Sequence, residues 1–96
     1  MYETGRGVPK NYAEAMHWYR RGAARGNAYS MTRIGAFYEH GEGVPRNYAK
    51  ALQWYRKAAA AGSHAAMKLI SHLYAKGLGV PKDPALAKKW LERAGH

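Results

Sequence analysis

The sequence predicts an all-α superhelix, a solenoid of helix-turn-helix units with five helices in all, and three observations carry that prediction. The segment Gly5-Arg-Gly-Val-Pro-Lys-Asn-Tyr-Ala returns as Gly41-Glu-Gly-Val-Pro-Arg-Asn-Tyr-Ala and again as Gly77-Leu-Gly-Val-Pro-Lys-Asp-Pro-Ala, at steps of 36 residues (41 − 5 and 77 − 41). Trp18, Trp54 and Trp90 keep the same step, as do Tyr2, Tyr38 and Tyr74. Between the loops, apolar residues recur at the three-and-four spacing of amphipathic helices. A fixed period of this size means a small unit stacked several times rather than a domain built around one centre.

Each unit reads as a helix A, a loop and a helix B. The chain begins four residues before its first loop, and a first B helix follows from Tyr12 to Ala24, with Ala15, Met16, Trp18, Tyr19 and Ala23 on its apolar side. Asn11 precedes it, and a side-chain oxygen there can accept from a free amide of the first turn. Helix A of the next unit carries Ala28, Met31, Ile34 and Tyr38 after Asn27, with Gly26 opening the turn before it. Gly41 should end this helix in the left-handed conformation that glycine tolerates. A loop of seven residues leads to Asn47 and the second B helix, with Ala51, Leu52, Tyr55, Ala58 and Ala59 in its stripe and Gly62 closing it. Trp54 lies beside that stripe and widens it, as expected of an interior residue packed between units.

The last unit repeats the scheme. Ser63 caps a helix A with Ala66, Met67, Ile70, Leu73 and Tyr74, Gly77 ends it, and Asp83 caps a B helix running from Leu86 to Ala94 through Ala87, Trp90 and Leu91. Pro84 is tolerated in the first turn, where its missing amide has no helical partner. Gly35 and Ser71 are small enough for helix B to approach closely. The units divide as 1–26 (partial), 27–62 and 63–96, one repeat solenoid belonging to a longer array.

Composition narrows the function. The 96 residues contain no cysteine, which removes disulfide staples and thiolate chemistry. Sixteen Lys and Arg against six Asp and Glu give a net charge of +10, which favours an anionic partner. No stretch approaches the roughly 18 apolar residues of a membrane span. The first residues lack a basic-then-apolar export signal, so the compartment stays open: a soluble protein, cytoplasmic, or periplasmic or secreted if a signal has been removed.

The string from Tyr38 to Gly62 resembles the Sel-one-like repeat, a relative of the tetratricopeptide repeat. Ile34-Gly35 with Tyr38 matches its helix A motif, Gly41-Glu42-Gly43-Val44 its loop, and Ala51, Trp54-Tyr55 and Ala58-Ala59 its helix B motif. The departures are Ser71 for the helix A glycine, Leu91 for the tyrosine after Trp90, and Gly22 for the first closing alanine. The resemblance implies an α-solenoid used as a bacterial protein-protein interaction scaffold or adaptor, without catalysis and without a cofactor.

Features that could carry chemistry read better as structure. The Gly-x-Gly-Val-Pro loop follows a helix rather than a strand, and its proline removes an amide that a phosphate cradle would use. His17, His40, His64, His72 and His96 lack a paired ligand spacing, so no metal site is expected. Ser30, Ser63 and Ser71 are not followed by lysine three residues later, and no catalytic residue is assigned. The periodic aromatics fit interior packing better than base-stacking platforms.

Two surfaces remain. In related solenoids helix A lines a concave groove, and that face maps to Tyr29, Thr32, Arg33, Ala36 and His40, then Ala65, Lys68, His72 and Lys76. Basic and partly aromatic, it suits an acidic peptide or protein partner. The B helices carry Arg20, Arg21, Arg25, Lys50, Arg56, Lys57, Lys88, Lys89 and Arg93. These read first as a solubilising face and alternatively as a binder of nucleic acid or another anionic surface. The two ends differ. Without a full helix A before it, the first B helix would expose Ala15, Trp18 and Tyr19, an edge suited to a homodimer. Lys88 stands where Met16 and Leu52 stand earlier, as a C-terminal cap would require.

Overall fold

The structure, a computed structural model, describes residues 11–95; Tyr2 and the first loop, Gly5 to Pro9, lie outside the described residues. Five α-helices follow one another: α1 (Tyr12–Ala24), α2 (Ala28–His40), α3 (Tyr48–Ala60), α4 (His64–Lys76) and α5 (Pro84–Ala94). Each packs against the next in the chain. The described residues contain no strand.

Every predicted cap is made. The side-chain oxygens of Asn11, Asn27, Asn47, Ser63 and Asp83 accept from the amides of Glu14, Ser30, Lys50, Ala66 and Leu86 at 2.8–3.0 Å. Each such cap typically stabilises its helix by about 1 kcal/mol. Gly26 and Gly62 follow α1 and α3 with φ of 85° and 102°. The next amides, of Asn27 and Ser63, donate back to the Gly22 and Ala58 carbonyls, so both turns close in the Schellman manner.

The A-to-B loops hold more than the sequence suggested. Gly41 and Gly77 cap α2 and α4 in the left-handed region, as predicted. The second glycine of each loop, Gly43 or Gly79, is also left-handed, with φ of 75° and 76°. It lies against Tyr12 or Tyr48, the first residue of the preceding B helix; a Cβ on Gly79 would stand 2.6 Å from the Tyr48 Cβ. The motif therefore joins neighbouring repeats as well as turning the chain. Tyr12 adds an edge contact with the Phe37 ring, and its hydroxyl donates to Glu42 at 3.3 Å.

Within a repeat the small residues do what their size predicts. Gly35 is so close to α3 that a Cβ there would lie 2.5 Å from the Tyr55 ring. Tyr55, fully buried, donates its hydroxyl to the buried Glu39 at 2.6 Å. In the last repeat the three equivalent places hold Ser71, Leu91 and Ala75. With the ring and its carboxylate both gone, the Ser71 hydroxyl donates instead to the Ala87 carbonyl at 2.7 Å. The departures at Ser71 and Leu91 are thus one coordinated exchange. Gly22 belongs to another: Ser30 occupies the space of its missing Cβ, whereas the equivalent places hold Ala58 and Ala66, both fully buried.

Between repeats, Arg20 on α1 donates to the Tyr38 hydroxyl at 3.2 Å, and Arg56 on α3 donates to that of Tyr74. Met16 and Leu52 are buried on the same helices. On α5 the places of Tyr48, Leu52 and Arg56 hold Pro84, Lys88 and Glu92, the last two exposed. The side chains that join α1 and α3 to the following repeat therefore have no counterpart on α5.

The tryptophans call for a correction. Trp54 is half-buried, not interior, and so is Trp90, with a cation over each ring. Trp18 is 55 % exposed. Exposure therefore falls on the first tryptophan and not on the terminal Trp90, which packs against the core.

Candidate partner-binding face

The face predicted on the A helices divides into an outer and an inner part. Tyr29, in the first turn of α2, is 63 % exposed, and its ring stands edge-to-face with that of Tyr19, 6.1 Å between centroids. His40, at the far end of α2, is exposed. On α4, Ala65, Lys68, His72 and Lys76 are all exposed and fall three or four residues apart, so one side of the helix carries them. Ala36 is half-buried between Tyr29 and His40 on the same stripe.

Thr32 departs from the predicted face. It is buried, bonded to the Ala28 carbonyl at 2.9 Å and to the Ser63 hydroxyl at 3.0 Å. That contact crosses from α2 to the cap of α4, so Thr32 ties two repeats together instead of facing a partner. Its equivalent Lys68 is exposed, because no further A helix lies against α4 among the described residues. Arg33 is half-buried, its guanidinium 5.8 Å from the Tyr19 ring and 5.7 Å from the Phe37 ring. The two rings flank the guanidinium and fix where the charge sits.

Beneath this face lies the Tyr55–Glu39 pair. Burial pushes the Tyr55 phenol well above its ordinary range, and the hydrogen bond to Glu39 pushes it further, while the Arg33 charge acts weakly in the opposite direction. The phenol therefore stays a donor to the carboxylate throughout the neutral range. The pair is buried and ties α2 to α3 beneath Arg33 and Ala36.

Among the described residues no three His, Asp or Glu side chains gather as a metal cluster. His64, at the start of α4, has its Nδ1 3.0 Å from the Ala94 carbonyl and helps hold α5. No described helix is long and apolar enough to cross a membrane. On α1, an open depression of about 280 Å³ is lined by Trp18, Arg21, Gly22 and Arg25. The uncovered edge predicted for this helix is narrower than Ala15, Trp18 and Tyr19 together. Tyr19 and Ala15 are half-buried against the core, Tyr19 with its edge towards Phe37, and Trp18 alone of the three is exposed.

The contacts missed from the sequence are those between repeats: Gly43 with Tyr12, Gly79 with Tyr48, and the two arginine–tyrosine bonds. Their signal was present as recurrence at 36 residues, but periodicity does not say which of two neighbouring units a residue touches.

The Sel1 repeat model matches residues 1–27, 28–63 and 64–96. Among solved structures, the chain is similar to c5321 of uropathogenic Escherichia coli, described as a protective antigen displaying an SLR fold, at 38% identity and a TM-score of 0.88. It is likewise similar to a Sel1 repeat protein from Oxalobacter formigenes, at 36% identity and a TM-score of 0.85. Each match covers 98% of this chain, but only 20% and 38% of those longer chains. No curated protein matches the chain.

Proposed function

The chain belongs to the Sel1 repeat family, and from that membership we propose that it is a non-catalytic interaction module binding an acidic peptide segment along the exposed faces of α2 and α4. The observation that carries the reading is the row of Lys68, His72 and Lys76 on α4, exposed and in register, continued on α2 by His40 and the exposed Tyr29 ring. Carboxylates of an extended segment pair with the lysines, and an apolar side chain lies on Tyr29. The aromatic rings around Arg33 hold its charge in place before binding, which lowers the ordering cost of the complex. The chain spans a fifth and about two-fifths of its structural relatives, so this function is proposed for a segment of such an array.

The test is fluorescence anisotropy with two labelled peptide pools of equal length, one alternating Glu with apolar residues and one alternating Lys with the same residues. Binding of the acidic pool alone, weakened at least fivefold by Lys68→Glu or Tyr29→Ala, is the expected result. Equal binding of both pools, or indifference to both substitutions, would overturn the assignment.

A further inference from the structure

We propose that the outer face of the B helices docks on an anionic lipid surface, through a row of cations that tryptophans hold in place. The proposal is independent of the peptide site, which uses the A helices.

Each B helix places a cation three residues after its tryptophan and over the ring. The Arg21 guanidinium lies 5.2 Å from the Trp18 centroid, the Lys57 ammonium 4.8 Å from that of Trp54, and the Arg93 guanidinium 4.4 Å from that of Trp90. All three cations are exposed. A cation over a ring gives up part of its freedom in exchange for the attraction of the π face, so the row is ordered before any partner arrives. Recurrence at one place in three equivalent helices sets the charges out as a line along the stack.

Among the described residues little balances that line. Of the acidic side chains described, Glu39 is buried against Tyr55, Glu42 accepts from Tyr12, Asp83 caps α5 and Glu14 accepts from Asn11. Glu92 alone is exposed, against eight exposed lysines and arginines on the three B helices and a ninth, Arg25, just past the end of α1. A surface of this kind attracts anions over several ångströms at physiological salt.

Membrane lipid fits the row better than the other anions. Base stacking needs an open aromatic face, and here each ring already carries a cation. A double helix is read by one helix entering a groove, which a row spread over three helices does not offer. A field of anionic headgroups accepts a row of charges with no matching shape. It also rewards a partly exposed tryptophan beside a cation, the pairing that suits the interface between headgroups and acyl chains. Trp18, 55 % exposed with Arg21 above it, has that setting.

The experiment is sedimentation of the whole chain with vesicles of phosphatidylglycerol and phosphatidylcholine, against vesicles of phosphatidylcholine alone, at 0.15 M salt. Binding to the anionic vesicles only is expected. Each cation near such a surface contributes about a fivefold factor in partitioning, so Lys57→Gln with Arg93→Gln should weaken binding about 25-fold. Lys68→Gln with Lys76→Gln lowers the net charge equally, from +10 to +8 (10 − 2), yet should weaken it less than threefold. In a Trp54→Phe, Trp90→Phe background, Trp18 emission should shift to the blue on binding. Equal losses from the two charge pairs would show that net charge alone acts and would overturn the proposal. So would no binding to anionic vesicles, or a double-stranded DNA fragment held as tightly at the same salt. The substituted positions in both charge pairs are exposed, and circular dichroism of each pair verifies the fold.

Discussion

Replacing Gly35 by alanine sets two opposite effects against each other inside one helix. Alanine favours an exposed helix interior over glycine by about 1 kcal/mol. At Gly35, however, the new methyl would stand 2.5 and 2.6 Å from two carbons of the Tyr55 ring and 3.2 Å from the Ala51 carbonyl oxygen. The ring has no easy escape. It is fully buried and held at its far end by the 2.6 Å bond to Glu39. Overpacking of this kind costs roughly 1–3 kcal/mol, so Gly35→Ala should be net destabilising by about 1–2 kcal/mol. For a domain of this size that lowers the melting temperature by roughly 4–8 °C for each kcal/mol. The last repeat indicates the rescue, because it pairs Ser71 with Leu91 and dispenses with the ring. In a Tyr55→Leu background the methyl meets no ring, and Gly35→Ala should become neutral or stabilising by up to about 1 kcal/mol. In a Tyr55→Phe background the ring remains and the penalty should persist. Urea denaturation of this double-mutant cycle gives a coupling of about 2 kcal/mol for the leucine arm if the contact is as described. An equal cost of Gly35→Ala in all three backgrounds, or a stabilised single mutant, would refute the close approach of α2 and α3.

Three further outcomes are expected. Gly43→Ala should destabilise by about 1–3 kcal/mol, since it combines a left-handed backbone with a clash against Tyr12 across the repeat boundary, and Gly41→Val should fall in the same range from the left-handed backbone and a tight approach to Arg46; thermal melts measure both. Tyr55 stays neutral in the folded chain above its ordinary pKa, so the unfolded chain binds fewer protons than the folded one at high pH, and stability should fall as pH rises beyond about 10. Tyr55→Phe should remove one proton's worth of that slope, about 1.4 kcal/mol per pH unit, in denaturation series taken across pH. Trp18→Ala should cost under about 1 kcal/mol, whereas Trp54→Ala and Trp90→Ala should each cost about 2 kcal/mol, below the range for full burial because both rings are half-exposed; equal losses at all three would contradict the exposure gradient.

The local structure of this protein is written in its sequence almost residue by residue. Five capping side chains stand where the helices start, left-handed glycines stand where the A helices stop, and the period of 36 residues names the stacked unit, because each depends on groups a few residues apart. The exposed row of Lys68, His72 and Lys76 was legible for the same reason, being one face of one helix. What lies between helices was decided only by tertiary structure. Thr32 and Lys68 occupy the same place in their repeats, yet one is buried against Ser63 and the other faces solvent, since among the described residues α2 alone has a following A-helix cap to meet. Trp18 and Trp54 also occupy the same place, yet Trp18 is 55 % exposed and Trp54 is half-buried against the core. A periodic sequence assigns equal roles to equal positions, and the packing of the described helices breaks that equality, because burial at each position depends on the neighbours it meets.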